Sequence, residues 1–255
     1  MIAFYLPGGV PIYAFSILLG LGATLGLVWA GWQAHPRQAL LVVNSGLVAL
    51  LGCLIGGRLV YVALRWSYYQ AHWEQIPQVF LGGVAWVGAF GGGLIALLAY
   101  AGFARQSLWF LLDSLLPLAG LLSVSAWLAC WLDGCAYGAV SPAWWALPAR
   151  NEWGVMAQRV PVQLIGALLA LITFGVADWA RPRVKLLGQV SLLALAALTA
   201  EMFALSFLRA DPAPSQGGLH LESWAALSLS LILLLIFTGR IFYARWCNRQ
   251  VDRIG

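Results

Sequence analysis

Residues 39–65, ALLVVNSGLVALLGCLIGGRLVYVALR, hold no charged side chain before their closing arginine except Arg58. An apolar run of this length crosses a bilayer as a helix, since about 20 residues suffice for the hydrocarbon core. Six more stretches read the same way, giving spans at roughly 12–31, 39–65, 82–103, 108–132, 161–178, 187–208 and 224–245. Helices are the reading because these runs are continuously apolar, whereas the strands of a membrane barrel alternate in polarity. The fold class is therefore all-α: a polytopic membrane protein with about seven transmembrane helices around a central lipid-facing cavity. Residues 1–255 form a single integral membrane domain on this reading.

Composition agrees. Charged residues make up 9% and hydrophobic ones 62%, where a soluble domain carries roughly 25% charge. The basic residues set the expected orientation. Arg37, Arg105, Arg181, Arg183, Lys185, Arg240, Arg245, Arg249 and Arg253 fall in loops one, three and five and the C-terminal tail. Arg65, Arg150, Arg159 and Arg209 fall on the other side. Nine against four places the C-terminus in the cytoplasm and the N-terminus outside. The net charge of +5 is then mainly a topology signal, and no nucleic-acid partner is implied. The N-terminus shows no basic n-region or obvious cleavage site, so the first span reads as its own anchor.

Arg58, Asp113, Arg159, Glu201 and Arg209 lie in or beside apolar stretches. A charge there is costly unless it faces a partner or a polar cavity, so each marks a candidate site. The bland alternative is a head that snorkels to water. Asp113 reads as a helix-end or interhelical partner, and Glu201 as one half of an internal ion pair with an arginine. Cys130 and Cys135 lie near the outer end of span four; a disulfide is open to them, while two buried thiols are the commoner arrangement. Three scattered histidines, His35, His72 and His220, lack paired ligand spacing, so neither a metal nor a cofactor is expected. Trp29, Trp32, Trp66, Trp179 and Trp246 are among many tryptophans near span ends, as an interfacial belt requires. Glycines cluster at 56–57, 82–83 and 91–93, which favours close helix packing.

The order of motifs resembles one family. Gly56-Gly57-Arg58-Leu59-Val60-Tyr61 looks like the GGRxGY segment of bacterial prolipoprotein diacylglyceryl transferases. Ala89–Ala96 resembles their SFHGGLIG, and Asp133–Gly138 the end of their GRxGNFxNGxxxG signature. Arg159–Leu164 resembles RHPxQL, Phe207–Asp211 resembles FFRxPD, and Tyr13 sits where that family has an important tyrosine. The resemblance implies transfer of a diacylglyceryl group from phosphatidylglycerol, or another anionic phospholipid, to the lipobox cysteine thiol of a prolipoprotein signal peptide. It implies a bacterial inner-membrane location. Arg58, Arg159, Gln163 and Arg209 would then bind substrate, with Tyr13 and Asp133 as the catalytic candidates. Arginine suits this role because its planar fork makes bidentate, charge-assisted bonds to phosphate.

Several positions depart from the pattern. Gly91 replaces the family's His, Trp127 its signature Arg, and Cys130 and Asp133 the following Asn positions. Ile165-Gly166 stands for Tyr-Glu, and Met202 and Ser206 for an Arg and a Glu of the sixth span. These losses bring in the alternative of a non-catalytic lipid-binding or assembly protein on the same scaffold. A small-solute transporter is the weakest reading, because no paired broken helices or inverted repeat is evident.

Overall fold

The computed structural model describes residues 2–5, 11–79, 82–212, 215–217 and 219–251. Seven of its helices are long and apolar enough to cross a membrane. In chain order the long helices are α1 (Ala14–Gln33), α2 (Ala39–Leu64), α4 (Trp86–Phe103), α6 (Leu116–Asp133), α7 (Val162–Ala180), α8 (Gln189–Ser206) and α9 (Leu221–Val251). Two short helices intervene, α3 (Trp66–Tyr69) and α5 (Leu108–Ser114). The described residues also form three antiparallel hairpins: β1 (Ile2–Tyr5) with β2 (Pro11–Tyr13), β3 (Leu147–Arg150) with β4 (Met156–Arg159), and β5 (Ser215–Gln216) with β6 (Leu219–His220). The protein is a multi-pass, all-α membrane protein, with Arg253 of the basic tail outside the described residues.

Two spans start four or more residues later than the sequence expectation. The fourth span does not run unbroken from 108. The helix stops at Ser114, and Leu115 leaves helical geometry at φ −93° and ψ 7°. Pro117 explains the break, because it donates no N–H and its ring clashes with the carbonyl four residues earlier. The membrane-crossing helix therefore starts at Leu116. Likewise α4 begins at Trp86 rather than 82, since Gly82 and Gly83 both adopt positive φ, at 86° and 83°.

The chain divides into two compact units, residues 27–115 and residues 1–26 with 116–255. In the first, α2 and α4 pack backbone to backbone. A Cβ at Gly52 would meet the Gly92 carbonyl at 2.4 Å, and one at Gly56 would meet the Gly88 carbonyl at 2.4 Å. Glycines spaced by four on both helices thus form the contact, as small residues do where helices approach in lipid. At Gly91, on the same helix, a Cβ would meet nothing within 4 Å.

In the second unit α6, α7, α8 and α9 pack in chain order. Their core gathers Trp127, Val162, Ala167, Ala170 and Leu205 at one level, and Leu116, Ala177, Val190 and Ala194 at another. Ser230 ties α9 to α8 by donating to the Ala196 carbonyl at 3.1 Å. Tryptophans at helix ends stay largely exposed, Trp32 and Trp179 among them, as a lipid-water belt should.

Candidate functional site

The long connection between α6 and α7 builds the site. Gly134 at φ 76° and Ala136 at φ 51° turn the chain away from α6. Cys130 and Cys135 close a disulfide across this turn, with Cα atoms 4.7 Å apart. The expectation of two inert thiols is thus overturned, since the left-handed turn folds Cys135 back onto the helix end. Residues 138–140 then run between two other segments. Gly138 bridges to Arg209 and Val140 to Arg159, while the Ala210 and Val160 amides donate to the Tyr137 and Ala139 carbonyls. Gly138 is required there, because a Cβ would meet the Val160 carbonyl at 2.3 Å.

This weave brings Arg159, Gln163 and Arg209 around one strand-like segment. Arg159, closing β4, is 7% exposed and lies 4.6 Å over the Tyr137 ring. Its Nε has no partner, and Nη1 reaches only the Gly138 carbonyl at 3.4 Å. No carboxylate neutralises it among the described residues. Gln163, fully buried, donates to the Cys135 carbonyl at 2.8 Å, and its Oε1 has no partner. A buried guanidinium with most of its five donors unspent is a ready anion site.

Arg209 is differently placed. Nε and Nη2 make a fork onto the Asp211 carboxylate at 2.8 and 2.6 Å, and Nη1 reaches Glu222 at 3.4 Å. Burial works against its charge, but Asp211 and Glu222 outweigh that and hold its pKa above the usual value. The guanidinium expected to grip phosphate is therefore already engaged by carboxylates.

Arg58 belongs to the other unit and its donors are committed as well. Nε donates to the Ile76 carbonyl at 2.8 Å, Nη2 to Gln75 at 2.7 Å, and Nη1 to Gly82 and Gly83 at 2.6 and 3.1 Å. Arg58 is therefore buried and satisfied by loop carbonyls, not a head that snorkels to water.

Tyr13 ends β2 and leads into α1, half-buried. Asp133 ends α6 and is exposed. Glu201 is buried, but among the described residues its expected ion pair with an arginine is absent. Neither carboxylate oxygen makes a hydrogen bond of ordinary geometry, and the neighbouring polar group is the Trp127 indole. On α8 the Glu201 side chain lies beside Trp127 of α6. Asp113 lies buried in the last turn of α5, at the helix break.

Two groups escaped the sequence reading. Tyr137 is buried under Arg159; burial first, and then the nearby Glu152 carboxylate, push its pKa up to about 12. Glu222 opens α9 and completes the Arg209 cluster. Neither lies in an apolar stretch, so no misplaced charge announced it.

The family model for prolipoprotein diacylglyceryl transferase matches residues 1–241. The chain belongs to this family. It is similar to the phosphatidylglycerol–prolipoprotein diacylglyceryl transferase of Corynebacterium diphtheriae, 27% identical over 93% of this chain and 90% of that protein. The enzyme of the same name from Streptococcus sanguinis is 27% identical over 93% of each chain. That from Bacillus licheniformis is 34% identical over 46% of this chain and 43% of its own. Within this prolipoprotein diacylglyceryl transferase framework, Arg159 is the motif arginine that keeps most of its donors unspent among the described residues.

Proposed function

We propose that this chain binds an anionic phospholipid, phosphatidylglycerol by analogy with its relatives' names, and transfers its diacylglyceryl group to a prolipoprotein cysteine thiol. A carbon–sulfur bond forms, the carbon–oxygen bond to phosphate breaks, and glycerol phosphate leaves. The thiol proton passes to a base, for which Asp133 and Tyr13 are the candidates. The active face lies outside a bacterial inner membrane, with the N-terminus outside and the C-terminus cytoplasmic.

One observation carries this reading: Arg159 is buried, uncompensated and rich in unspent donors beside the 137–140 segment. Holding an unpaired charge there is expensive, and a bound phosphate would offset it. Gln163, at the start of α7, adds an unpartnered buried Oε1 near the same segment.

A second reading, lipid binding without transfer, is favoured by the Arg209 fork being filled by Asp211 and by the absence of a side chain at Gly91. Transfer from labelled phosphatidylglycerol to a lipobox peptide by the purified protein separates them. We expect product, reduced roughly 10-fold to 100-fold or more in Arg159→Ala, because each charge-assisted bond is worth about 1.5–3 kcal/mol. Undiminished transfer in that variant overturns the assignment of Arg159. No transfer, with phosphatidylglycerol binding that Arg159→Ala weakens, establishes the second reading instead.

A further inference from the structure

We propose a further anion-binding site for a phosphate-bearing lipid headgroup of net negative charge, built in residues 27–115 around Arg65 and the tyrosines at the end of α2. A cavity of about 340 Å³ opens there, lined by Arg58, Tyr61, Arg65, Tyr69 and Gln75 among others. Its volume falls in the range of small-ligand pockets.

The electrostatics call for an anion. The Arg65 guanidinium lies 4.1 Å and the Arg58 guanidinium 5.7 Å from the centroid of one ring, that of Tyr61. The two cations are thus no further apart than the sum of those distances. Like charges so close repel, and among the described residues neither has a carboxylate partner. Arg58 is fixed by carbonyls, as described above, so it supplies charge to the cavity and at most one spare Nη2 hydrogen.

Arg65 is the opposite case. It is exposed, stacked on Tyr61, and its guanidinium donates no hydrogen bond among the described residues. Its fork is therefore oriented by the ring and free to bind. The hydroxyls of Tyr61 and Tyr69 also lack partners there, adding two neutral donors of the kind that complete an oxyanion's coordination. Tyr68 lines the same cavity but is engaged with Gln75 at 3.0 Å.

Position selects the ligand. Exposed Trp66 and Trp73, 56% and 74%, flank this end of α2, and such aromatics sit at the headgroup level of a bilayer. The cavity therefore meets phosphates at the membrane surface. Free phosphate shares the chemistry and is distinguished by experiment.

Full-length protein in a neutral maltoside detergent is titrated calorimetrically with dihexanoyl phosphatidylglycerol. Working in an Arg159→Ala background removes the site invoked for transfer. We expect residual binding that falls about tenfold or more on adding Arg65→Ala and several-fold on adding Tyr69→Phe, with Arg65→Lys intermediate. Inorganic phosphate that competes at similar concentration identifies free phosphate as the ligand; failure to compete identifies the lipid headgroup. Both outcomes support the site. Residual binding indifferent to Arg65→Ala overturns it, as does equal affinity for dihexanoyl phosphatidylcholine. Binding abolished by Arg159→Ala alone also sinks this proposal while leaving the transferase reading intact. Arg65-dependent binding unaltered by Arg159→Ala, with no other lipid binding lost, does the reverse.

Discussion

The Trp127 indole lies so close over Gly166 that a Cβ at 166 would meet its Cδ2 and Cε2 atoms at 2.5 Å. These two positions stand where the resemblance gives an arginine on α6 and a glutamate on α7. A large apolar ring has taken the space on one helix, and the other helix has surrendered its side chain to admit it. The pair is buried in the core that joins α6, α7 and α8.

The contact predicts a specific rescue. Gly166→Ala should cost about 1–3 kcal/mol, the usual penalty for overpacking a filled core. Trp127→Leu in the same chain should recover much of that loss, because the ring is the obstacle. Unfolding midpoints of the two single variants and the double variant in detergent test this. Additive effects would mean that the two side chains are energetically independent.

A comparison of adjacent glycines tests the anchoring of Arg58. Gly83→Ala places a methyl 2.4 Å from Tyr61 Cε1 and 2.8 Å from Arg58 Nη1, on top of left-handed backbone strain. Gly82→Ala carries only the strain, since nothing lies within 4 Å; that alone is roughly 1–2 kcal/mol. We expect amide hydrogen exchange in residues 75–85 to accelerate in both variants and clearly more in Gly83→Ala. Equal acceleration would show that the Arg58 bonds do not depend on this packing.

Tyr137 gives the protein an alkaline limit. Its pKa stands at about 12 in the folded chain against about 10 unfolded, so the folded state holds the proton more tightly. The stabilisation is complete below pH 10 and is lost as pH rises from about 10 through 12. Tyr137→Phe should flatten that part of the stability profile. Glu152→Gln should lower the tyrosine pKa, read from tyrosinate absorbance, because it removes a nearby negative charge that opposes ionisation. An unshifted titration in Glu152→Gln would exclude that carboxylate as a cause.

The spans were legible because hydrophobicity over about 20 residues is a property of the segment itself. The interruption at Leu115 was not, because Pro117 hides within an apolar run and leaves the average unchanged. The site was legible only in part, for a related reason. Sequence locates a costly charge but does not say what satisfies it. Arg159 proved open, whereas Arg58 meets carbonyls brought by a glycine turn and Arg209 meets Asp211 two residues away. Glu201 turned towards Trp127, a relation set by how α8 and α6 each pack against α7. The near-absence of polar and apolar faces on these helices leaves that rotation unspecified by pattern alone.

The Arg58 cluster bears on how the chain is made as well as on how it stands. Its carbonyl partners lie only 17–25 residues downstream. A helix carrying this arginine enters the membrane with a charge that lipid disfavours. All the groups that satisfy it leave the ribosome within the next few seconds of synthesis, at roughly 5–20 residues per second. The most demanding charge of the second span can thus be settled during translation, before α6 and the helices after it exist.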